Sequence, residues 1–291
     1  MPVRKVRLLS ARLTGRSLVG MALQQWDSDE SWYAIHELRA RGCATMVDRC
    51  LRLSRSRNWR KRALAVDVLC QLAIPRTSRG GGFAPGEPFG VEQAHHVLLH
   101  ALDDPHAAVV LAAIYECGHR RFAAAQRRLL EFVAHPSPDV RHAVAFALAP
   151  GSDETPESDA AIAALLQLMQ DRDEDVRDWA TFKIGEQSTR DTPAIREALW
   201  RNTSDPHVDV RGEAMVGLAR RRDHRLFSLL PRLLEDDQWR GWVHNITEDF
   251  ADDGLWQALV SFAASFQGSV AARAVLDRMV AEAESLRNAP H

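Results

Sequence analysis

Glu92, His96 and His100 fall at i, i+4 and i+8 of one amphipathic run, with His95 alongside. On a helix, this spacing puts two imidazoles and a carboxylate on one face, where they could share a divalent metal. The same three residues suit an ordinary solvated helix surface. No HExxH motif and no Cys/His finger spacing accompanies them, so no metal site is assigned. Gly80-Gly81-Gly82 has no Gly-Lys-Ser/Thr ending and follows no strand, so it is not a phosphate loop. The acidic run Asp249 to Gly254 looks superficially like a calcium loop. It fails because Ala251 occupies a ligand position and Val260 stands where the bidentate Glu belongs. No GxSxG, Ser-His-Asp or paired Cys/His arrangement is present. No catalytic residue and no cofactor are expected.

Basic residues are the next chemistry to weigh. Trp59 lies among Arg55, Arg57, Arg60, Lys61 and Arg62. Cations interleaved with an aromatic suit phosphate contact and base stacking. Residues 1–79 hold 16 Arg and Lys against 6 Asp and Glu, a net of +10. Residues 80–291 hold 21 against 33, a net of −12, and would repel phosphate. A nucleic-acid partner therefore ranks below a protein partner. Cys43, Cys50, Cys70 and Cys117 form no CxxC pair and no dense framework, which fits reduced thiols in the cytoplasm.

The elements that must position these residues come from a chain of 291 residues, 46% hydrophobic and 26% charged. That composition is ordinary for a soluble globular protein and excludes a disordered polyelectrolyte. No apolar run approaches the roughly 20 residues of a membrane crossing. The stretch Leu18 to Leu23 is too short for a secretory signal core.

Internal repeats organise most of the chain. Asp139-Val140-Arg141, Asp175-Val176-Arg177 and Asp209-Val210-Arg211 recur at intervals of 36 and 34 residues. Four and eight positions after each Val stand Val144 and Leu148, Ala180 and Ile184, Ala214 and Leu218. That is one stripe of an α-helix. Val109, Ala113 and Cys117 fit the template as a degenerate copy. Each copy follows another amphipathic run: 91–102, 121–133, 158–170, 192–202 and 224–235. The unit is thus helix A, a turn that often carries Pro, and helix B. The Asp of each triplet is placed to cap helix B, and Thr192-Pro193 to start a helix A. Residues 29–41 and 58–72 thread onto the template as B helices, the latter with register uncertain by one residue. No period-2 strand signal competes. Residues 1–27 are expected to be a mobile basic arm, 28–265 the repeat array of about six pairs, and 266–291 a capping helix and tail. A Gly/Pro-rich loop interrupts the array at 75–90.

Asp-Val-Arg-x-x-Ala, repeated behind A helices, resembles the HEAT-repeat family in its short bacterial form, related to the HEAT-like repeats of phycobilisome lyases. The best stretches are DVRHAVAFAL, DVRDWATFKIG and DVRGEAMVGLARR. The resemblance implies an all-α fold: a right-handed, armadillo-like α-solenoid whose B helices line a concave face. It also implies an inter-repeat ladder, here Asp139, Asp175 and Asp209 with Arg141, Arg177 and Arg211, interrupted at the unit holding Ala108 and Val110. It implies a non-catalytic protein-interaction scaffold, expected to be a monomer.

Three other activities come with the family. Deoxyhypusine hydroxylases hold iron with repeated His-Glu pairs, and this chain has only His36-Glu37. Nothing residue-specific points to a phycobilin-lyase site. Alkylpurine DNA glycosylases of HEAT-like fold carry a Trp-Asp pair within their repeats, whereas Trp26-Asp27 precedes them here. For protein binding, the helix-B register puts Trp179, Phe182, Phe146 and Tyr115 on one stripe, as interface anchors or as core. His142, Asp178, Lys183 and Glu213 flank it as a polar rim.

Overall fold

The computed structural model describes residues 14–24, 26–74, 86–120, 122–151, 154–236 and 242–288. The chain divides into two compact units, Met1–Phe132 and Val133–His291.

In the first unit the helices are α1 (Gly15–Gln24), α2 (Asp29–Arg39), α3 (Ala44–Ser54), α4 (Trp59–Leu69), α5 (Val91–Ala101) and α6 (Ala107–Arg120). They associate as α1/α2, α3/α4 and α5/α6, and the B members α2, α4 and α6 pack in succession. The fourth A segment, 121–133 in the sequence, is broken into a 3-10 turn, Ala123–Ala125, a single turn α7 (Gln126–Leu129) and a second 3-10 turn, Leu130–Phe132.

In the second unit α8 (Pro138–Ala147), α10 (Glu174–Gly185), α12 (Val208–Arg220), α14 (Val243–Phe250) and α16 (Val270–Asn288) form one layer. The A members are α9 (Pro156–Leu168), α11 (Pro193–Asn202), a 3-10 turn His224–Ser228 leading into α13 (Leu230–Glu235), and α15 (Asp253–Ser265). Each unit is an all-α, solenoid-type stack of helical pairs.

Local sequence sets these boundaries. Ser28, Asn58, Thr155, Asp173, Thr192 and Asp252 each accept a backbone N–H in the first turn of the helix they precede. Pro138, Pro156 and Pro193 stand in that turn, where no N–H is needed. The periodic stripe is the core: Val109, Ala113, Cys117, Val140, Val144, Leu148, Val176, Ala180, Ile184, Val210, Ala214 and Leu218 are all buried. Full burial of such a Val, Leu or Ile contributes about 1.5–3 kcal/mol. Close approach is bought with glycine at two places. A Cβ on Gly217 would lie 2.6 Å from Gly185 Cα, where α10 meets α12, and a Cβ on Gly212 would strike the Trp242 ring.

Several expectations need correction. The arm expected over 1–27 contains a helix: α1 buries Leu18 and Ala22 against α2, spaced i, i+4. Residues 1–13 lie outside the described residues. Among the described residues there are seven complete pairs, three in the first unit and four in the second, rather than about six. The helix expected to cap the C-terminus is the B member of the last pair, packed on both α14 and α15. A two-residue antiparallel ladder exists where no strand was expected: Ala73 pairs with Pro88 and Ile74 with Glu87. It brackets the Gly/Pro-rich loop, whose residues 75–85 lie outside the described residues.

Candidate protein-binding face

The B helices are held in register by a repeated arginine joint. Arg141 Nε and Nη2 donate to both carboxylate oxygens of Asp171, at 2.6 and 2.7 Å. Arg177 does the same to Asp205, at 2.7 and 2.9 Å. Arg62 does so to Asp104, at 2.6 and 2.8 Å. In each case Nη1 donates to the carbonyls six and five residues back: His135 and Pro136, Asp171 and Arg172, Ser56 and Arg57. Arg211 repeats this last pattern on Asp205 and Pro206. The arginines of the expected ladder are therefore in place, but its aspartates are not. Asp139, Asp175 and Asp209 are exposed in the first turns of their helices. The accepting carboxylates belong to the turn of the following pair.

Each accepting carboxylate also closes its own turn. Asp104, Asp171 and Asp205 take the N–H of His106, Asp173 and His207. Burial pushes the Asp171 and Asp205 carboxyls up, and the arginine and N–H bonds outweigh it, leaving both below the usual carboxylate range. The expected interruption has a physical form: Val110 takes the arginine position, and His135 takes the aspartate position. His135 Nδ1 accepts the Ser137 N–H that the carboxylate would have taken. The same alignment makes Arg62 the joint residue of α4, which fixes the register there that the sequence leaves uncertain by one residue.

On the second unit's B layer, the aromatic residues gather around Trp179. Its ring meets Phe146 at 5.3 Å, Phe182 at 5.6 Å and His142 at 5.8 Å between centroids, all edge-to-face. Lys183 Nζ lies 5.6 Å from the Phe146 centroid and 3.1 Å from Gln187 Oε1. Trp179, Phe146, Phe182, His142 and Lys183 are half-buried, so they belong neither to the core nor to the free surface, and Gln187 is exposed. Tyr115 is half-buried on α6 of the first unit.

Shifted carboxylates stand on the same B layer, Asp178 beside Trp179 in the chain. Burial and the Asp209 charge push Asp178 up to about 6. Burial and the neighbouring Glu186 carboxylate push Glu213 up to about 9. Burial lifts Asp249 to about 6 against the pull of Arg220. One carboxylate oxygen on each of Asp178 and Glu213 is buried without a hydrogen-bond partner. The face therefore concentrates incompletely satisfied acceptors beside an aromatic patch.

Two buried sites escaped the sequence reading. Arg221 donates to the carbonyls of Ile184, Gly185, Gly217, Ser188 and Arg190, tying the end of α10 to the end of α12. Its guanidinium is lowered to about 10 by burial. In the first unit Glu116 accepts from Gln71 at 2.6 Å and Arg39 at 3.2 Å, and burial raises it to about 8 against the pull of Arg39. Both rely on partners far away in sequence, and no local motif announces them.

Glu92, His96 and His100 are exposed on α5, with the two imidazoles edge-to-face at 4.6 Å. Among the described residues no group of three His, Cys, Asp or Glu side chains could hold a metal ion. No helix among them is long and apolar enough to cross a membrane.

Comparison with known proteins bears on the repeats. A HEAT-repeat family model matches residues 96–185 and 162–244, together just over half of the chain. Protein YibA of Escherichia coli K12 is 37% identical over 94 residues, a stretch covering 32% of this chain and only 31% of that protein. The X-ray structure of E. coli YibA superposes with a TM-score of 0.66 at 22% identity, covering 96% of this chain and 97% of that one. A chain from the structure of Kap95p with RanGDP gives 0.61 at 14% identity, covering 93% of this chain and 40% of that one. These superpositions are likenesses of fold. With the repeated triplets, the arginine joints and the matched residues together, the chain belongs to the HEAT-repeat family.

Proposed function

We propose that this protein is a non-catalytic binding scaffold that grips a protein partner on the B-helix face of its second unit. The observation that carries the reading is the half-buried cluster of Trp179, Phe146, Phe182 and His142 with Asp178 and Glu213 on the same B layer. Aromatic anchors bury large area at low entropic cost. The carboxylates favour a partner segment that brings lysine or arginine beside an apolar residue, because a cation would offset the burial and the like-charge crowding that raise Asp178 and Glu213. Lys183 extends the proposed surface, and Tyr115 is proposed as a contact on the first unit's own B layer. The joints fix the backbone beneath it, so little order is lost on binding. The four free thiols, three of them buried, suit work in a reducing compartment such as the cytoplasm.

The test is a peptide array probed with the purified protein. Peptides pairing Arg or Lys with an aromatic or aliphatic residue should be retained, and Trp179→Ala should abolish retention without loss of helicity. Retention that survives Trp179→Ala, or a variant that no longer folds, defeats the reading.

A further inference from the structure

The first unit carries cations that the fold does not use. In the second unit Arg141, Arg177, Arg196, Arg220, Arg222 and Arg225 each have a carboxylate within ion-pair distance. Around the turn between α3 and α4 the opposite holds. Arg16 on α1, Arg49 and Arg52 on α3, and Lys61 at the start of α4 line one cleft of about 360 Å³ with Ser56, Val19 and Leu53. No carboxylate lines it, and none of the four cations has an ion-pair partner among the described residues. Arg49 Nη1 is buried there without a hydrogen-bond partner. An unmet guanidinium N–H is costly, and an anionic acceptor in the cleft would satisfy it.

A second cleft, of about 350 Å³, opens on the other side of the same turn and is lined by Ser54, Arg55, His96 and His100. The carboxylate in its wall, Asp104, is consumed by its bidentate bond to Arg62. Arg57 stands exposed on the turn that separates the two clefts. Cationic clefts on both sides of a cationic ridge suit an anion that carries its charges in series. A single phosphate would fill one cleft and leave the other empty.

We propose that the α1/α3/α4 end of the first unit binds a nucleic-acid strand through its phosphates, independently of base sequence. Trp59 does not read bases in this arrangement. His106 stacks on its ring at 4.1 Å, Trp26 meets it edge-on at 5.2 Å, and the Arg60 guanidinium lies 5.4 Å from its centroid. Recognition therefore falls to the guanidinium groups, the ammonium and the Ser56 hydroxyl, and it is governed by counterion release. The site is separate from the protein-binding face of the second unit, and its success or failure leaves that reading untouched.

The experiment is fluorescence anisotropy of a labelled mixed-sequence single strand of about 20 nucleotides, longer than the ~4–16 that a typical binding groove covers. The full chain is titrated from about 50 to 200 mM salt. Engagement of six cations, Arg16, Arg49, Arg52, Arg55, Arg57 and Lys61, predicts a log–log salt slope of about −4. Arg52, Arg55 and Arg57 are exposed, so the triple Arg→Gln variant keeps its fold. It should flatten the slope by about 2 and weaken binding at least ~tenfold at 50 mM salt. Arg222→Gln, at a cation already paired with Asp252, should change neither. No binding at ~50 mM salt, or an unaltered triple variant, overturns the proposal. Full displacement by tripolyphosphate at equal phosphate concentration would make the site a pocket for a small anion and overturn the strand assignment. Tighter capture by anionic lipid vesicles than by the strand would overturn it in favour of a membrane surface.

Discussion

Arg177 and Asp205 are only 12% and 9% exposed as side chains, so removing either strands the other charge in a poorly solvated place. Arg177→Met should lower unfolding free energy by about 3 kcal/mol, as breaking one side of a buried pair does. Arg222→Met, whose pair with Asp252 is largely solvated, should cost less than about 1 kcal/mol. Urea unfolding of the two variants side by side separates the cases. Glu213 behaves differently, because its folded-state proton affinity is raised. The folded protein holds that proton between the ordinary glutamate range and about 9, so the group's stabilising contribution is complete at acid pH and is lost as pH rises through about 9. Glu213→Gln should flatten the fall of the melting temperature between the ordinary glutamate range and about pH 9, and an unchanged pH profile would refute this. At this scale the sequence exposed half of each joint. Arg141 and Arg177 sit in a visible triplet and Arg62 in none, and their carboxylates lie 30, 28 and 42 residues away, across loops of unequal length. Asp139 and Asp175, two positions before Arg141 and Arg177, were nearer and wrong partners. Arg221 was invisible because its acceptors are backbone carbonyls, which every residue possesses.

Helix pairs were the most legible level, since the 3.6-residue stripe and the Thr192-Pro193 start hold, although Ser137, Asp173 and His207, not the triplet aspartates, stand at the caps of α8, α10 and α12. The helix α1 was hidden because the basic charges around Leu18 and Ala22 read as a solvated arm. The broken segment 123–132 kept its apolar content and lost its regularity, which composition does not reveal. The helix glycines make opposite predictions. Gly217→Ala would push a methyl group into the α10 backbone and should cost about 1–3 kcal/mol. Gly20, within α1, has nothing within 4 Å of the position a Cβ would take, so Gly20→Ala should stabilise by about 0.5–1 kcal/mol. Thermal melts of the two single variants test the pair by sign. The aromatic stripe was legible as a register, and its half-buried state follows from Trp179 packing edge-to-face with three neighbours, which spacing alone leaves open.

Val110 stands at the arginine position and His135 at the aspartate position of the template, near the place where the chain divides into its two units. Stacked repeats gain cooperativity from nearest-neighbour links. Native-state hydrogen exchange should accordingly show two blocks of protection that change near residue 133, and one uniform block would contradict this. Charge follows the same division, with the uncompensated cations in the first unit and the crowded carboxylates in the second.

The joints also set a rule for growth. A segment running from Arg172 through Asp205 contains an arginine, the aspartate that receives it, and the residues that fold back onto the preceding turn. Spliced in again after Asp205, it would meet at its leading edge the same kind of carboxylate that it offers at its trailing edge. The array is thus modular at a phase that no helix boundary marks, and its reach toward a longer partner could be extended by whole cassettes without redesigning a single fastening.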